Sequence, residues 1–550
     1  MSYVGGYYMI KEPFLKYGLH EHTASLRRPV SDEVMYVCDV LGKTPLEVNE
    51  FVLDVVQELV ARNETLGNIP PSDQLAFPPA VPDAVWETMD KKERIAVKAE
   101  RERVHSANAK FQGQREALFR KINMANDLKG ETFWIPHCPD FRGRLYPQSQ
   151  DLNFVNDDLS RGLIRFAEGK KLGERGHYWL AIRLANTYGM DKLSFDDRVQ
   201  WVIDNDPHII DSAMNPLDGG RFWADADEPF QFLAACHEYY GWAQDREGFV
   251  SHLPINLDAT ASGLQHLAAW SRDPRAAEVV NMTSSAHRYD IYGIQAEEIN
   301  KVIARDMDTN EAARNCHGHV NRSTVKRGVM TIPYSVTPQG LRDQFIKDGH
   351  LDHIPGSKIA NATYLRDALL ESLGETIRKP MEVMEYFKGC ATALAEENIP
   401  LEFTTPMGMT IRQAYLNHNK KEVKTLFGKA VLWYEEPSMG LNKRKQSLAS
   451  SPNIIHAHDA AHLQAVVMMG ASEDDPITSW ACIHDSIGVH ACDVDRVNDI
   501  IRREFVRIYD RPILEEFHSN LMRHKVDLPA PPELGSFDIS SVAEAPYFFS

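Results

Sequence analysis

Two aspartates in this chain follow short apolar segments, at positions where carboxylates can hold divalent cations. Asp258 closes the alternating apolar run of PINLDATASGLQHL, which predicts a β-strand, a small-residue turn and then a helix beginning near Gly263. His484 and Asp485 lie between the apolar runs ACI and IGVHA, which predict the two strands of a β-hairpin. Because Mg²⁺ prefers oxygen ligands and binds together with substrate phosphates, the two carboxylates could hold a pair of ions for phosphoryl transfer. Taken singly, each aspartate is also a common turn residue.

A third segment, RSTVKRGVMTIPY, carries cations at a helical spacing. Arg322 and Lys326 would share one face of an α-helix, and Tyr334 follows further along the chain. Such a face could bind a triphosphate while the tyrosine ring stacks on a base. A basic helix that is merely solvated is the alternative when this segment is considered alone. Together with the two carboxylates, the segment favours nucleotide-polymerising chemistry.

These segments resemble the motifs of the single-subunit RNA polymerases of the phage and mitochondrial type. The resemblance runs from about Phe133 to the last residue, and its motifs occur in the family's order. They are FWIPHCPDFRGRLYP, LDATASGLQHL, RSTVKRGVMTIPY, PNIIHAHDAAHL and IHDSIG. The closing PYFFS resembles the aromatic C-terminus that this family places near its active site. The chain is therefore identified as a member of this family, which implies an enzyme, a DNA-directed RNA polymerase.

The resemblance implies a nucleotidyl transfer that uses two Mg²⁺ ions. Asp258 and Asp485 would be the metal ligands, and the carbonyl of Ala259 would be a further ligand where the family more often has glycine. Arg322 and Lys326 would bind the incoming triphosphate, and Lys326 would also donate a proton to the leaving pyrophosphate. The substrates would be ribonucleoside triphosphates.

The resemblance also implies the residues around the base and the sugar of the nucleotide. Tyr334 would gate the nucleotide site and sense the ribose, Tyr292 would contribute to the same site, and His484 would sit beside the RNA 3′ end. One departure is visible, because Pro333 and Ser335 flank the gating tyrosine, where the family usually has glycine after it. A Cβ at that position is expected to stiffen the turn.

DNA template and RNA transcript would contact a further set of residues. His456 would touch the minor-groove side of the nascent base pair, and Arg142 and Arg144 would contact the template and the hybrid backbone. Residues 410–436 predict two β-strands around a basic turn, which by family position would read promoter DNA in the major groove. The DNA-contacting residues expected in that segment are Arg412, Lys420, Lys421 and Lys424.

Alternatives to RNA synthesis remain at this point. The family-A DNA polymerases share the cationic helix and both aspartates, but they carry a glutamate where this chain has Gly263, and glycine leaves room for a ribose 2′-hydroxyl. Ribonucleotides are therefore the expected substrates, with a DNA polymerase or a primer-synthesising enzyme as the alternative. A relative that binds nucleic acid without catalysis is a second alternative, which the retained set of site residues disfavours.

Composition is that of an ordinary soluble protein. The 550 residues are 43% hydrophobic and 25% charged, and the net charge of −18 argues against a general nucleic-acid binder. Basic residues are nevertheless concentrated between Lys91 and Ile122, in a stretch without proline that predicts a long helix. By family position this helix would belong to the thumb that wraps the hybrid, and a solvated helix is the alternative.

The expected fold is α+β, a mostly helical right hand around a small antiparallel palm sheet. We predict a helical lead-in at 1–61, with Thr44 as the N-cap of an amphipathic helix, and a Pro-rich linker from Ile69 to Pro82. The remaining predicted divisions are the thumb at 62–131, the first part of the palm at 132–286, the fingers at 287–456 and the second part of the palm at 457–550.

The setting was inferred from signals that the chain lacks. It has no recognisable leader and no apolar run of transmembrane length, which indicates that it has no membrane partner. Its seven cysteines form no CxxC pair, which indicates reduced thiols. A bacteriophage enzyme acting in the cytoplasm of an infected bacterium is therefore expected. Only a short segment precedes the predicted thumb, so a second protein is expected to supply promoter recognition or opening.

Overall fold

The computed structural model describes residues 4–6, 11–16, 30–426, 428–435 and 437–550. Parts of the predicted lead-in, at 1–3, 7–10 and 17–29, lie outside the described residues. In chain order, the α-helices are α1 Asp32–Gly42, α2 Glu50–Ala61, α3 Asp83–Thr88, α4 Lys91–Asp127, α5 Asp158–Gly162, α6 Gly176–Tyr188, α7 Phe195–Asp204, α8 Asp206–Met214, α9 Pro229–Gln244, α10 Ser262–Ser271, α11 Pro274–Val279, α12 Ile291–Asp306, α13 Glu311–Cys316, α14 Arg322–Thr331, α15 Pro338–Lys347, α16 Lys358–Thr376, α17 Arg378–Glu396, α18 Lys443–Ser472, α19 Val494–Tyr509 and α20 Ile513–Met522.

The strands are short and pair antiparallel, mostly in twos. They are β1 Val4–Gly6, β2 Lys11–Pro13, β3 Leu46–Val48, β4 His137–Pro139, β5 Leu145–Pro147, β6 Ile164–Phe166, β7 Lys170–Lys171, β8 Val250–Ser251, β9 Ile255–Asp258, β10 Leu401–Thr404, β11 Thr410–Gln413, β12 His418–Thr425, β13 Gly428–Glu435, β14 Ala481–Ile483 and β15 Ser486–Val489. The expectation of a mostly helical α+β fold with a small antiparallel sheet is confirmed. The division into thumb, palm and fingers stays a prediction.

One three-stranded sheet brings distant parts of the chain together. Its strand order is β14-β15-β9, and both pairings are antiparallel. In β9, Ile255 and Leu257 are buried, so the alternation of the strand leaves Asp258 exposed at its end. Every residue of β15 is buried, which fixes this strand in the middle of the sheet. The register sets Ser486 opposite Asp258 and therefore places the tip of the hairpin beside that aspartate.

The sheet is supported by a helical core formed by α10, α17, α18 and α19. Trp270 of α10 is fully buried and makes edge-on ring contacts with Phe387 of α17 and with His458 of α18. α18 runs unbroken through Pro452, and most of its second half is buried. Because this helix crosses the molecule, it carries residues of both the core and the site. No helix of the described residues is long and apolar enough to cross a membrane.

Two local predictions near the N-terminus are corrected. The predicted N-cap Thr44 precedes a short strand, β3, and α2 begins only after Asn49, whose side chain accepts a hydrogen bond from the N–H of Val52. The segment predicted as a Pro-rich linker is hydrogen-bonded to α4 and so does not form a separate linker. Asn108 of α4 accepts from the N–H of Leu75 at 2.8 Å and donates to its carbonyl at 3.0 Å.

The basic segment predicted at 410–436 folds as two separate hairpins. Residues 418–435 form the β12–β13 hairpin, apart from residue 427, which lies outside the description together with 436. Residues 410–413 pair instead with β10. Arg412 therefore lies on a different hairpin from Lys420, Lys421 and Lys424, opposite Glu402. The prediction of a single hairpin was wrong because β-propensity alone does not indicate which strands pair.

Candidate active site

Asp258 and Asp485 meet at one edge of the three-stranded sheet. Asp258 ends β9, and Asp485 lies in the two-residue connection between β14 and β15. The N–H of Ala259 donates to the carbonyl of Asp485 at 3.2 Å, so the backbones of the two segments are joined directly. Both side chains line one cavity of about 530 Å³, together with Ala259. The structure thus brings together the three residues predicted as metal ligands.

The electrostatics of this pair suit a divalent cation. Burial, followed by the neighbouring charge of Asp258, raises the pKa of Asp485 above its ordinary value. Two carboxylates that oppose each other's ionisation are stabilised by a shared cation. Mg²⁺ is typically bound by one or two carboxylates with substrate phosphates and waters supplying the remaining ligands. The residues present therefore fit a divalent metal completed by substrate.

The predicted nucleotide-binding helix is α14, and its two faces are sharply different. Asn321 caps its first turn by accepting from the N–H of Thr324. Val325 and Val329 are buried on one face, where Gly328 allows close packing against α15 and α16. Arg322, Lys326 and Met330 line the site cavity on the opposite face. The helical spacing seen in the sequence therefore does place both cations toward the site.

Arg322 is held by a residue that sequence reasoning missed. Its Nε donates to Oδ2 of Asp290 at 2.6 Å, and its guanidinium carbon lies 5.2 Å from the ring centroid of Tyr292. Asp290 also caps α12 by accepting from the N–H groups of Tyr292 and Gly293. Burial raises the pKa of Tyr292 to about 12, so its hydroxyl stays protonated. One carboxylate therefore orients both the helix α12 and the cation of α14.

Three further cations line the same cavity without having been predicted. They are Arg183, Lys192 and Arg288. Arg183 is buried and donates to Oε1 of Gln231 at 2.7 Å, and burial lowers its pKa. Burial likewise lowers the pKa of Lys192 and of Arg288. These residues come from α6 and from two loops, so no local pattern in the sequence could have grouped them with Arg322.

Tyr334 lies just beyond the end of α14, where it contacts both walls of the cavity. An ideal Cβ added to Gly263 would lie 3.2 Å from its hydroxyl oxygen. Its ring centroid lies 4.6 Å from that of His456. Burial raises the pKa of the Tyr334 hydroxyl to about 12, which keeps it a hydrogen-bond donor. The predicted trio of Gly263, Tyr334 and His456 therefore forms one contiguous contact.

Arg142 and Arg144 are engaged with protein groups beside this trio. Arg142 donates to Nδ1 of His456 at 2.9 Å, and burial together with Arg144 lowers the pKa of that histidine to about 2. The ring is therefore neutral, with its proton on Nε2. Arg142 also pairs with Asp140, and Arg144 forms a two-pronged ion pair with buried Asp459. These arginines thus bind protein side chains at the edge of the site, and their contact with nucleic acid stays a prediction.

His484 adopts a left-handed backbone conformation next to Asp485, with φ of 51°. Its ring makes an edge contact with Tyr146 at a centroid distance of 4.9 Å. Burial, followed by the charges of Arg144 and Arg142, lowers its pKa to about 4. A left-handed, neutral histidine beside a buried carboxylate is typical of a functional position. Its predicted place beside the RNA 3′ end stays a prediction.

The closing residues of the chain complete the wall around Asp258. The N–H of Ser550 donates to the carbonyl of Asp258 at 3.0 Å, and Thr260 donates to the carbonyl of Tyr547 at 2.8 Å. Gln265 donates to the carbonyl of Phe548 at 2.9 Å. The aromatic rings of this segment are buried. The segment is thus tied to β9, which ends in Asp258, and to the start of α10.

Comparison with known proteins agrees with this geometry. A family model described as DNA-dependent RNA polymerase matches residues 170–525. The mitochondrial DNA-directed RNA polymerase 1B of Nicotiana tabacum is 34% identical over 567 aligned residues, which cover 99% of this chain and 56% of the relative. The chloroplastic/mitochondrial DNA-directed RNA polymerase 2 of Arabidopsis thaliana is 35% identical over 534, covering 94% of this chain and 52% of the relative. The chain therefore belongs to the DNA-dependent RNA polymerase family. It spans about half the length of the curated relatives it matches.

These relatives overturn one expectation. The chain was expected to be a bacteriophage enzyme in the cytoplasm of an infected bacterium, but the relatives are named as mitochondrial or chloroplastic enzymes of plants. The expectation was wrong because it rested on the absence of a leader, and such an absence carries no information on compartment.

Proposed function

We propose that this chain catalyses template-directed addition of ribonucleotides to an RNA 3′ end. The observation that carries the proposal is a single cavity of nucleotide size that is lined by Asp258 and Asp485 together with a set of cations. Carboxylates that hold divalent cations and cations that hold phosphates are the two halves of a phosphoryl-transfer site. The family supports the same activity, and DNA template, RNA transcript and ribonucleoside triphosphates are the proposed partners.

The metal site is proposed at Asp258 and Asp485, with the carbonyl of Ala259 as a further ligand. Two bound Mg²⁺ ions would supply charge stabilisation at the attacking and leaving oxygens. Arg322 and Lys326 would hold the triphosphate. Lys326 is exposed to the cavity and is the proposed proton donor to the pyrophosphate. The carboxylates and the cations line the same cavity, so metal ions and a triphosphate could be held side by side.

Lys192 and Arg288 extend the proposed triphosphate site. Both line the cavity, and the charge of Arg322 reaches both of them. Several cations crowded in one cavity lower one another's proton affinity, and a bound polyphosphate relieves that repulsion. Their role is therefore proposed on geometry, as a second group of phosphate contacts beside α14.

Selection of ribonucleotides is proposed to depend on Gly263 and Tyr334. Gly263 adds no side chain to the cavity, and the protonated hydroxyl of Tyr334 is available to bond a ribose 2′-hydroxyl. His484 is proposed to lie beside the RNA 3′ end, and the neutral His456 to offer its Nε2–H to the nascent base pair. The ring of His456 contacts Tyr334, and His484 precedes Asp485 in the chain; Tyr334 and Asp485 both line the cavity.

DNA contacts are proposed on the exposed β12–β13 hairpin. Lys420, Lys421 and Lys424 lie on β12, opposite Trp433, Leu432 and Lys429 of β13. A basic strand paired with an exposed aromatic strand suits phosphate contact combined with base contact. An organelle is the setting that the names of the relatives favour.

The test compares primed extension on a single-stranded template by the wild type and by Asp258→Asn and Asp485→Asn. Each variant should lose nucleotide addition by at least about a hundredfold, because a neutral amide removes a ligand charge. Binding of a labelled template should change little. Asp474→Asn, at an exposed position outside the cavity, is the matched control. Normal synthesis by either site variant would refute the assignment, and a preference for deoxynucleotides would favour DNA synthesis.

A further inference from the structure

The end of α14 closes in a specific hydrogen-bonded turn that contains Tyr334. The N–H of Ser335 donates to the carbonyl of Ile332 at 2.9 Å, and the N–H of Val336 donates to the carbonyl of Thr331 at 3.3 Å. This pair of bonds defines a Schellman motif, in which the residue in the position of Ser335 must adopt a left-handed conformation. Tyr334 is therefore the capping residue of the nucleotide-binding helix.

Ser335 is poorly suited to this position. Its φ is +57°, a region in which the Cβ of an L-residue crowds the backbone and which glycine adopts without that penalty. The residue is buried. Among the residues that the structure describes, no hydrogen-bond partner reaches its hydroxyl. Backbone strain and an unpaired buried hydroxyl thus coincide next to the tyrosine of the site.

The same chain shows how it builds this motif elsewhere. The helices α2, α6, α11 and α17 each end in the same pair of bonds, from the left-handed residue and from the residue after it. Their left-handed residues are Asn63, Gly189, Asn281 and Asn398. Asparagine and glycine are the residues that tolerate this conformation best. Of these five helix ends, the one beside the nucleotide cavity is the one that carries serine.

The rest of the turn is held firmly. Pro333 is buried, and its carbonyl accepts a hydrogen bond from the hydroxyl of Ser451 at 3.0 Å. Tyr334 is braced by Gly263 and His456. The weak element of the turn is therefore the left-handed residue itself. Opening the motif at this residue releases its strain and removes the cap that positions Tyr334.

We propose that Ser335 is a positioning residue whose strain sets how readily Tyr334 leaves the nucleotide cavity. Contrary to the stiffening expected from the sequence, the left-handed serine destabilises the closed turn relative to glycine. The turn therefore opens more often, and Tyr334 is held less tightly during each cycle of addition. The inference rests on the proposed function for its kinetic consequence. The conformational part stands independently of activity.

The first test measures the turn itself by amide hydrogen exchange in the free protein. Ser335→Gly should raise the protection of the Val336 amide about fivefold, because it removes the left-handed penalty. Ser335→Ala removes the hydroxyl but keeps the Cβ, so its protection should rise distinctly less. Unchanged protection in Ser335→Gly, or an equal rise in both variants, would overturn the strain assignment.

The second test measures successive addition on a primed template at saturating nucleotide. Ser335→Gly should slow the addition cycle about fivefold in kcat while leaving KM nearly unchanged, because Tyr334 leaves its closed position less often. Asn63→Gly is the matched control, since it introduces glycine at the same position of the same motif, at the exposed end of α2. It should leave the addition rate unchanged. Wild-type kcat in Ser335→Gly despite raised Val336 protection would overturn the positioning role, whereas no synthesis by the wild type would instead refute the proposed function.

Discussion

At the scale of the residue, Gly263 has a packing role besides the one proposed for it in sugar selection. It is buried in the first turn of α10, where an added Cβ would lie 3.1 Å from Cβ of Pro333 and 3.2 Å from the hydroxyl oxygen of Tyr334. Both contacts are tighter than ordinary van der Waals separation. Glycine therefore allows the end of α14 to approach α10 closely, which sets the position of the tyrosine.

Gly263→Ala should displace Tyr334 by a few tenths of an ångström and lower kcat/KM for ribonucleotides about tenfold, because small misplacements at a reacting site are costly. Gly374→Ala is the matched control, since it lies within α16 and an added Cβ there meets no atom within 4 Å. That variant should gain up to about 1 kcal/mol of stability and keep full activity. Equal activity in both variants, measured by primed extension, would contradict the steric argument.

The residues that could be predicted are those whose own segment carries the signal. Asp258 and Asp485 follow alternating apolar runs, so strand, turn and side-chain direction were all readable locally. Lys192 and Asp290 carry no such signal, because they reach the site only through the packing of distant helices. Ser335 was visible as an unusual neighbour of a tyrosine, but its left-handed conformation required the structure.

At the scale of the element, the long helix α4 is hydrogen-bonded to the segment before it. Residues 69–89, the strap, lie along this helix, and the strap begins at buried Ile69. The side chain of Asn108 hydrogen-bonds both the N–H and the carbonyl of Leu75, as a neighbouring strand would. Arg94 donates to the carbonyl of Trp86 at 3.0 Å and lies near its ring. The prolines of this segment predicted a linker. Proline also favours an extended backbone, however, and an asparagine on a neighbouring helix can hydrogen-bond such a backbone.

Asn108→Ala should release the strap locally. Both backbone groups of Leu75 lose their partner, at a cost of about 1–2 kcal/mol that is limited because water can replace the bonds. Limited proteolysis should then cut within residues 69–89 faster than in the wild type, while the overall melting temperature changes little. Asn123→Ala, at an exposed position of the same helix, should leave the cleavage rate unchanged. Equal cleavage of the two variants would show that Asn108 does not hold the strap.

At the scale of the whole molecule, the core between α10, α18 and α19 contains histidines that are kept neutral. His458 donates to the carbonyl of Ile454 at 2.8 Å, and His462 donates to that of Ile501 at the same distance. Burial lowers the pKa of each to about 4. The nearby ring of His266 contacts the hydroxyl of Tyr509, and burial lowers its pKa as well. Because unfolding exposes these rings, the core couples the stability of the protein to pH.

The sign of this coupling follows from the lowered pKa values of these histidines. Above the unfolded pKa of about 6.5, the rings are neutral in both states and the contribution to stability is complete. As the pH falls toward 4, the unfolded chain binds protons that the folded core excludes, so the free energy of unfolding decreases. Other histidines whose pKa is lowered act in the same direction, namely His137, His456, His484 and His490.

Between pH 7 and pH 5, His462 alone should account for about 2 kcal/mol of this loss. His462→Gln keeps a donor for the carbonyl of Ile501 but cannot bind a proton in the unfolded state. Its melting temperature should therefore fall less than that of the wild type when the pH is lowered from 7 to 5, whatever the variant loses at pH 7. His287→Gln, at an exposed position, should keep the wild-type slope. An undiminished slope in His462→Gln would show that the core admits the proton without unfolding.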